Sequence, residues 1–297
     1  MIIVMSGASG LIGTPLQAAL RDEGHELRIL VRREPSTSQE FQWDPAGGHV
    51  DPGVLDGAQA VINLSGAAVA GHRWTDSYRR EVLDSRVQAG RTLAEAIAAR
   101  GSQAPRVYLV ASAVGYYGDT GDAVVTEATP SGAGFLADVC RRWEGAAEAA
   151  KAAGHSRVVH LRTGLVLSSH GGVLGPLRRV VKAGIGGRLG TGRQFQPWIS
   201  LADEVGAIIF LLTHDVGGPV NITGPDPVRQ GQFVQQLAHA LHRPALVPTP
   251  AVALRLALGR FADEGVLIGQ RAVPTALTRA GYEFTHPTLA AALEAVA

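Results

Sequence analysis

Gly7, Gly10 and Gly13 stand at three-residue spacing in Gly7-Ala8-Ser9-Gly10-Leu11-Ile12-Gly13, directly after the apolar run Ile2 to Met5. That spacing suits a phosphate cradle. The first glycine allows a tight turn, the second lets the backbone approach a pyrophosphate, and the third permits close helix–sheet packing. A helix starting there offers free N–H groups and a partial positive charge. Ser9, Leu11 and Ile12 join the three glycines as candidate dinucleotide contacts. A purely structural turn is the alternative. No Gly-Lys-Ser/Thr follows, so a P-loop is excluded.

Arg32 and Arg33 carry the second signal, following Leu30-Val31 with no acid before Glu34. An acid at that strand end would hold a ribose 2′-hydroxyl, whereas a planar guanidinium suits a 2′-phosphate. The pair therefore points to NADP(H), the alternative being two solvated arginines. Farther on, Arg193, Gln194 and Trp198 adjoin the glycine-crowded stretch 171–192. They offer an anion-binding fork, an amide and an aromatic wall for a small polar substrate. The other reading is a surface loop pinned by Trp198 in the core.

The elements that must position these residues alternate. Apolar runs predict strands at Ile2 to Met5, Glu26 to Val31, Ala60 to Leu64, Arg106 to Ala111 and Arg157 to Leu161. Helical patterns cover Leu11 to Asp22, Asp76 to Arg100 and Phe135 to Ala153. The expected fold is α/β, a Rossmann doubly wound parallel sheet with a smaller C-terminal substrate lobe. Residues 1–167 would form the nucleotide-binding domain. Residues 168–297 would add a helix near Leu201 to Thr213, a strand Pro219 to Ile222, a helix near Gln232 to His242, and the lobe. The stretch 171–192 reads as a structured loop rather than a linker, because Arg188, Phe195 and Trp198 are interspersed or follow.

Composition narrows the function classes. Hydrophobic residues at 46% and charged residues at 18% suit a substantial core. Net charge of +1 gives no overall field toward nucleic acid or an anionic membrane. Neither is an expected partner. Apolar stretches are too short to span a bilayer, and the N-terminus lacks a signal-peptide pattern, so a cytoplasmic protein is expected. One cysteine, Cys140, excludes a disulfide framework. His72, His160 and His170 show no metal-ligand spacing, and no G-x-S-x-G elbow is present.

Ordered motifs run along nearly the whole chain: Val61-Ile62-Asn63-Leu64-Ser65-Gly66, Ser112-Ala113-Val114-Gly115-Tyr116-Tyr117-Gly118, Trp143-Glu144, Leu161-Arg162-Thr163-Gly164, Gly190-Thr191-Gly192-Arg193-Gln194-Phe195 and Gly281-Tyr282-Glu283-Phe284. With these the sequence resembles the atypical extended short-chain dehydrogenase/reductases grouped as epimerase family proteins. The resemblance implies that Leu64 and Ser65 line the adenosine side of a cofactor groove. It also implies that Glu81 and Arg86 lie near the cofactor and Leu165 near the nicotinamide. Taken alone, Glu81 and Arg86 are ordinary charges on a helix face.

Ordinary members of that superfamily use Tyr-x-x-x-Lys for proton transfer and cofactor orientation. Here no tyrosine has a lysine four positions on. The resemblance puts Cys140 and Glu144 at the corresponding positions, the alternative being a register slipped by one residue. Ser112, Tyr116 and Tyr117 remain as catalytic candidates, although a Tyr-Gly in this turn is often structural. Two functions follow from the resemblance: an NADP(H)-dependent oxidoreductase or epimerase-like enzyme, or a non-catalytic NADP(H)-binding sensor or interaction module.

Overall fold

The computed structural model describes residues 1–169, 171–172 and 174–296. Its strands are β1 (Ile2–Ser6), β2 (Glu26–Val31), β3 (Glu40–Asp44), β4 (His49–Val50), β5 (Ala60–Asn63), β6 (Val107–Ala113) and β7 (Val124–Val125). They continue with β8 (Arg157–Thr163), β9 (Leu165–Leu167), β10 (Phe195–Gln196), β11 (Trp198–Ser200), β12 (Gly218–Ile222), β13 (Val228–Arg229) and β14 (Arg271–Ala272). The helices are α1 (Gly13–Asp22), α2 (Asp76–Ala99), α3 (Phe135–Gly145), α4 (Glu148–Ala152) and α5 (Leu174–Lys182). After them come α6 (Leu201–Thr213), α7 (Gln230–Ala240), α8 (Ala251–Leu258), α9 (Thr275–Arg279) and α10 (Leu289–Glu294).

Eight of these strands form one sheet in the order β12-β8-β6-β5-β1-β2-β3-β4. All its pairings are parallel except β3 with β4. From β1 the chain builds outward through β2 to β4, then crosses to β5 on the other side. The direction reverses between β1 and β5, and the carboxyl ends of those strands frame a crevice. The fold is thus the Rossmann-like doubly wound sheet.

Successive strand residues face opposite sides, so each apolar run serves two cores. Ile3, Met5, Leu109 and Leu161 pack with Leu16 and Leu20 of α1 and Ile208 and Leu211 of α6. Val4, Val61, Tyr108 and Val110 pack on the other face with Leu93 and Ile97 of α2 and Trp143 of α3. A third core joins Leu167, Leu174, Trp198, Phe233 and Leu293 in the C-terminal lobe.

The structure departs from the sequence reading in several places. The helix expected over Phe135 to Ala153 breaks after Gly145, where Ala147 bonds back three residues to Glu144 instead of four. β3 and β4 were not anticipated. Their turn is Pro45 to Gly48, and only Trp43 of the pair is deeply buried, so the period-2 signal is short. Within the glycine-crowded stretch, α5 forms because Pro176 falls in the first turn, where its missing N–H costs nothing. The region after residue 168 contributes β12 and α6 to the Rossmann layers as well as the lobe. His170 lies outside the described residues.

Candidate functional site

At the β1/β5 switch a cavity of about 1400 Å³ runs from the glycine loop past the ends of β2 and β5 to α2. Gly7 has φ +71°, and a Cβ there would meet Leu64 O at 2.6 Å and Ser65 N at 2.9 Å. The loop can therefore lie directly on the backbone after β5. A Cβ on Gly13 would strike Gly7 O at 2.3 Å and Ala8 O at 2.7 Å, so this glycine packs on its own loop rather than on the sheet. At Gly10 a Cβ would meet only Gly7 O, at 3.3 Å, and its outer side is open to the cavity. Helix α1 starts without a side-chain cap or an acid in its first turn. That set of features fits a pyrophosphate.

Gly7, Ser9, Gly10, Leu64 and Ser65 all line the cavity. Leu11 instead packs beside Gly171 and Gly172, and Ile12 on the core, and neither lines the cavity. Two side chains that the sequence reading passed over hold the cradle. Asn63 Oδ1 accepts from Ser6 Oγ at 2.8 Å and Ser65 N at 3.0 Å, and Gln17 Nε2 donates to Ala8 O at 2.7 Å.

Arg32 and Arg33 line the same cavity but differ in state. Arg32 is exposed and makes no hydrogen bond or ion pair among the described residues. Arg33 grips Glu40 at two points, 2.5 and 2.9 Å, and Glu40 also accepts from Ser36 N and Oγ. Those bonds, from Arg33 first and then Ser36, hold the Glu40 carboxyl down to about 2. Arg33 is therefore engaged in shaping the loop 33–36, whereas Arg32 beside it is left free. Glu40 was missed because it belongs to a strand that was not anticipated.

Glu81 is exposed on α2 and lines the cavity. Arg86 is buried beneath Gly66, where a Gly66 Cβ would sit 3.0 Å from its Cζ. Its Nη1 donates to Val82 O at 2.8 Å, the guanidinium lies 4.8 Å from the Trp143 ring centroid, and burial lowers its pKa. It is not a solvated helix charge. Leu165 lies outside the cavity lining; its N–H bonds Pro197 O and its strand pairs with Trp198.

The strand ends beyond β5 carry a buried polar network. Ser112, Arg162 and Asn221 are in register on β6, β8 and β12 and share one face. Glu144 of α3 comes down on that row: Arg162 Nε and Nη2 reach its two oxygens at 2.8 and 2.9 Å, and Ser112 Oγ donates to Oε1 at 2.7 Å. Arg162 Nη1 donates to Tyr117 O–H at 2.9 Å, which donates to Asn221 Oδ1 at 2.7 Å. Burial works against the Arg162 charge, but Glu144 outweighs it and holds the guanidinium above its ordinary value. Burial likewise raises the Tyr117 hydroxyl, against the pull of Arg162.

Of the three catalytic candidates, Ser112 and Tyr117 are thus buried and bonded within this network. Tyr116 is half-buried, its ring 3.5 Å from Arg162 Cζ, and its hydroxyl makes no hydrogen bond among the described residues. Cys140 is buried, and burial followed by Glu144 pushes its thiol up to about 12, which disfavours the nucleophilic thiolate. Arg162 had a legible signal: a charge inside the apolar strand sequence Val158-Val159-His160-Leu161-Arg162 demands a partner.

The substrate-side residues separate. Trp198 is fully buried, packs on Gly224 and donates Nε1 to Asp226 O at 2.8 Å, so it is a core pin and not an aromatic wall. Gln194 spends its amide on Leu189 O and Val266 O, at 3.2 and 3.0 Å. The Arg193 side chain is exposed and unbonded among the described residues. On the opposite face of the sheet, Glu204 is fully buried; Thr163 Oγ1 donates to its Oε1 at 2.9 Å and its Oε2 has no partner. No group of His, Cys, Asp and Glu among the described residues could hold a metal.

Comparison with known proteins agrees with this architecture. Residues 3–223 match the NAD dependent epimerase/dehydratase family, and residues 249–296 match a domain of unknown function (DUF1731). Epimerase family protein Mb2239 of Mycobacterium bovis is 46% identical over 98% of this chain and 96% of its own length. The chloroplastic SDR39U1 homolog of Arabidopsis thaliana is 36% identical over 100% of this chain and 86% of its own. The crystal structure of human epimerase family protein SDR39U1 with NADPH superimposes with a TM-score of 0.89 at 30% identity, covering 100% of this chain and 99% of that one. The chain belongs to the NAD dependent epimerase/dehydratase family, as an SDR39U1-like epimerase family protein of the atypical extended short-chain dehydrogenase/reductase type.

Proposed function

We propose that the chain binds NADP(H) in the switch-point groove and uses it as an oxidoreductase or epimerase-like enzyme on a small polar substrate. Arg32 carries the reading: an exposed, unpaired guanidinium at the end of β2, in a groove whose glycine loop stays open at Gly10. A 2′-phosphate matches that fork, whereas a bare ribose hydroxyl would leave it unused. The NADPH in the human SDR39U1 structure supports the same choice.

When bound, the nicotinamide supplies or accepts hydride. The chain's own part is to seat the pyrophosphate on Ser9, Gly10 and the start of α1, the adenosine along Leu64 and Ser65, and the 2′-phosphate on Arg32. Tyr116 is the candidate left for moving a proton, since Ser112 and Tyr117 spend their hydrogen bonds inside the network. The substrate would enter between the sheet and the C-terminal lobe, with Arg193 the one side chain of its predicted trio left free to meet it.

A second reading is a non-catalytic NADP(H) sensor. The saturated Ser112–Glu144–Arg162–Tyr117 network favours it, because a proton-transfer group needs a free hydrogen-bonding position facing substrate. One experiment separates the two. The NADPH-loaded protein is screened against small carbonyl compounds and nucleotide sugars, following NADPH absorbance and thermal shift. Turnover that Tyr116→Phe abolishes, with NADPH affinity intact, supports the enzyme. Tight NADPH binding without turnover across the screen supports the sensor, and failure to bind NADPH overturns both.

A further inference from the structure

The C-terminal lobe presents an apolar surface that the groove does not use. Helix α8 reads Ala251-Val252-Ala253-Leu254-Arg255-Leu256-Ala257-Leu258, and of these only Leu254 is buried. Val252 and Leu256 stand 64% and 78% exposed, and Leu246 just before the helix 81%. A helix that is apolar on nearly every side but buries one residue has an outer face suited to a partner. Ile185, 58% exposed after α5, lies alongside. Val247 N–H bonds Gly186 O at 3.1 Å and Thr249 N–H bonds Arg188 O at 2.9 Å, which brings the two exposed groups together.

Charge selects the partner. Neither residues 171–202 nor residues 227–262 contain an aspartate or glutamate. Arg179, Lys182, Arg188 and Arg243 are exposed and make no ion pair among the described residues. Arg255 and Arg260 reach outside these stretches for their carboxylates, to Asp263 and Asp76. The net charge of +1 averages over this asymmetry. Protruding aliphatic side chains on segments that also carry unpaired cations match the headgroup–acyl boundary of an anionic bilayer. A second copy of the same face would oppose cation to cation. No helix among the described residues is long and apolar enough to cross a membrane, so the contact is with its surface.

We propose that this face, centred on Leu246, Val252 and Leu256 and flanked by Arg179, Lys182, Arg188 and Arg243, docks the protein on an anionic phospholipid membrane. The test is co-sedimentation of the full chain with vesicles of phosphatidylglycerol and phosphatidylcholine in equal parts, and of phosphatidylcholine alone. Binding is expected to the first only, weakened roughly tenfold or more in high salt and in Arg179→Glu/Lys182→Glu. Leu246→Ser/Leu256→Ser should abolish it while the urea midpoint stays put, because both side chains are exposed. No binding of the native chain to anionic vesicles overturns the proposal, as does undiminished binding of the serine variant. Self-association that the serine variant abolishes, without vesicle binding, would assign the face to a second copy instead.

Discussion

Glu144 and Arg162 form a two-point ion pair, 2.8 and 2.9 Å, between α3 and the carboxyl end of β8. The carboxylate lies on the helix where the family resemblance expects the catalytic Tyr-x-x-x-Lys pair. A lysine at 144 would confront the buried Arg162 guanidinium, whereas a carboxylate neutralises it.

Removing one partner strands the other in a dry site. Glu144→Ala should destabilise the protein by about 3–5 kcal/mol, read as a lowered urea midpoint. Glu144→Leu/Arg162→Met should recover much of that loss, since an apolar pair of similar volume removes both charges. An unchanged midpoint in Glu144→Ala would mean the pair is solvated.

The two arginines after β2 should behave differently. Arg32→Ala should cost most of the NADPH-over-NADH preference, about 1.5–3 kcal/mol or roughly 10- to 150-fold, in a fluorescence titration. Arg33→Ala should cost less, because its guanidinium is already taken by Glu40. The assignment fails if the two losses are equal.

The glycines also separate by role. Gly10→Val should remove NADPH binding with little change in thermal unfolding, because Gly10 lines the groove and a Cβ there would meet only Gly7 O, at 3.3 Å. Gly7→Val should lower the unfolding temperature as well, since φ is +71° and Leu64 O lies 2.6 Å from the new Cβ. Retained NADPH affinity in Gly10→Val would move the cofactor elsewhere.

Glu204 should make stability fall as pH rises. Burial lifts its folded carboxyl to about 8, against an ordinary value of 4.5, and the Thr163 hydrogen bond offsets this only in part. Between those values the folded state keeps a proton that the unfolded chain has released. Stability therefore drops by about 1.4 kcal/mol per pH unit through that window. Urea unfolding from pH 5 to 8 should show the slope in the native chain and a shallower one in Glu204→Gln. Identical slopes would disprove it.

The sequence by itself determined the strand–loop–helix unit around Gly7, Gly10 and Gly13, the arginines at the end of β2, and the absence of Tyr-x-x-x-Lys. Each is local: a turn needing glycine or a residue four positions on is written in consecutive letters. Tertiary structure decided which of those residues are free. Arg32 and Arg33 are neighbours in sequence, and only the packing of β3 shows that Glu40 claims the second. Ser112, Glu144, Arg162 and Tyr117 come from separate elements, and the parallel register of β6, β8 and β12 brings them into one network. Trp198 read equally well as a pocket wall or a core pin, and burial against Gly224 settled it. Hydrogen-bond partners and burial depend on contacts between distant segments, and local pattern carries no record of them.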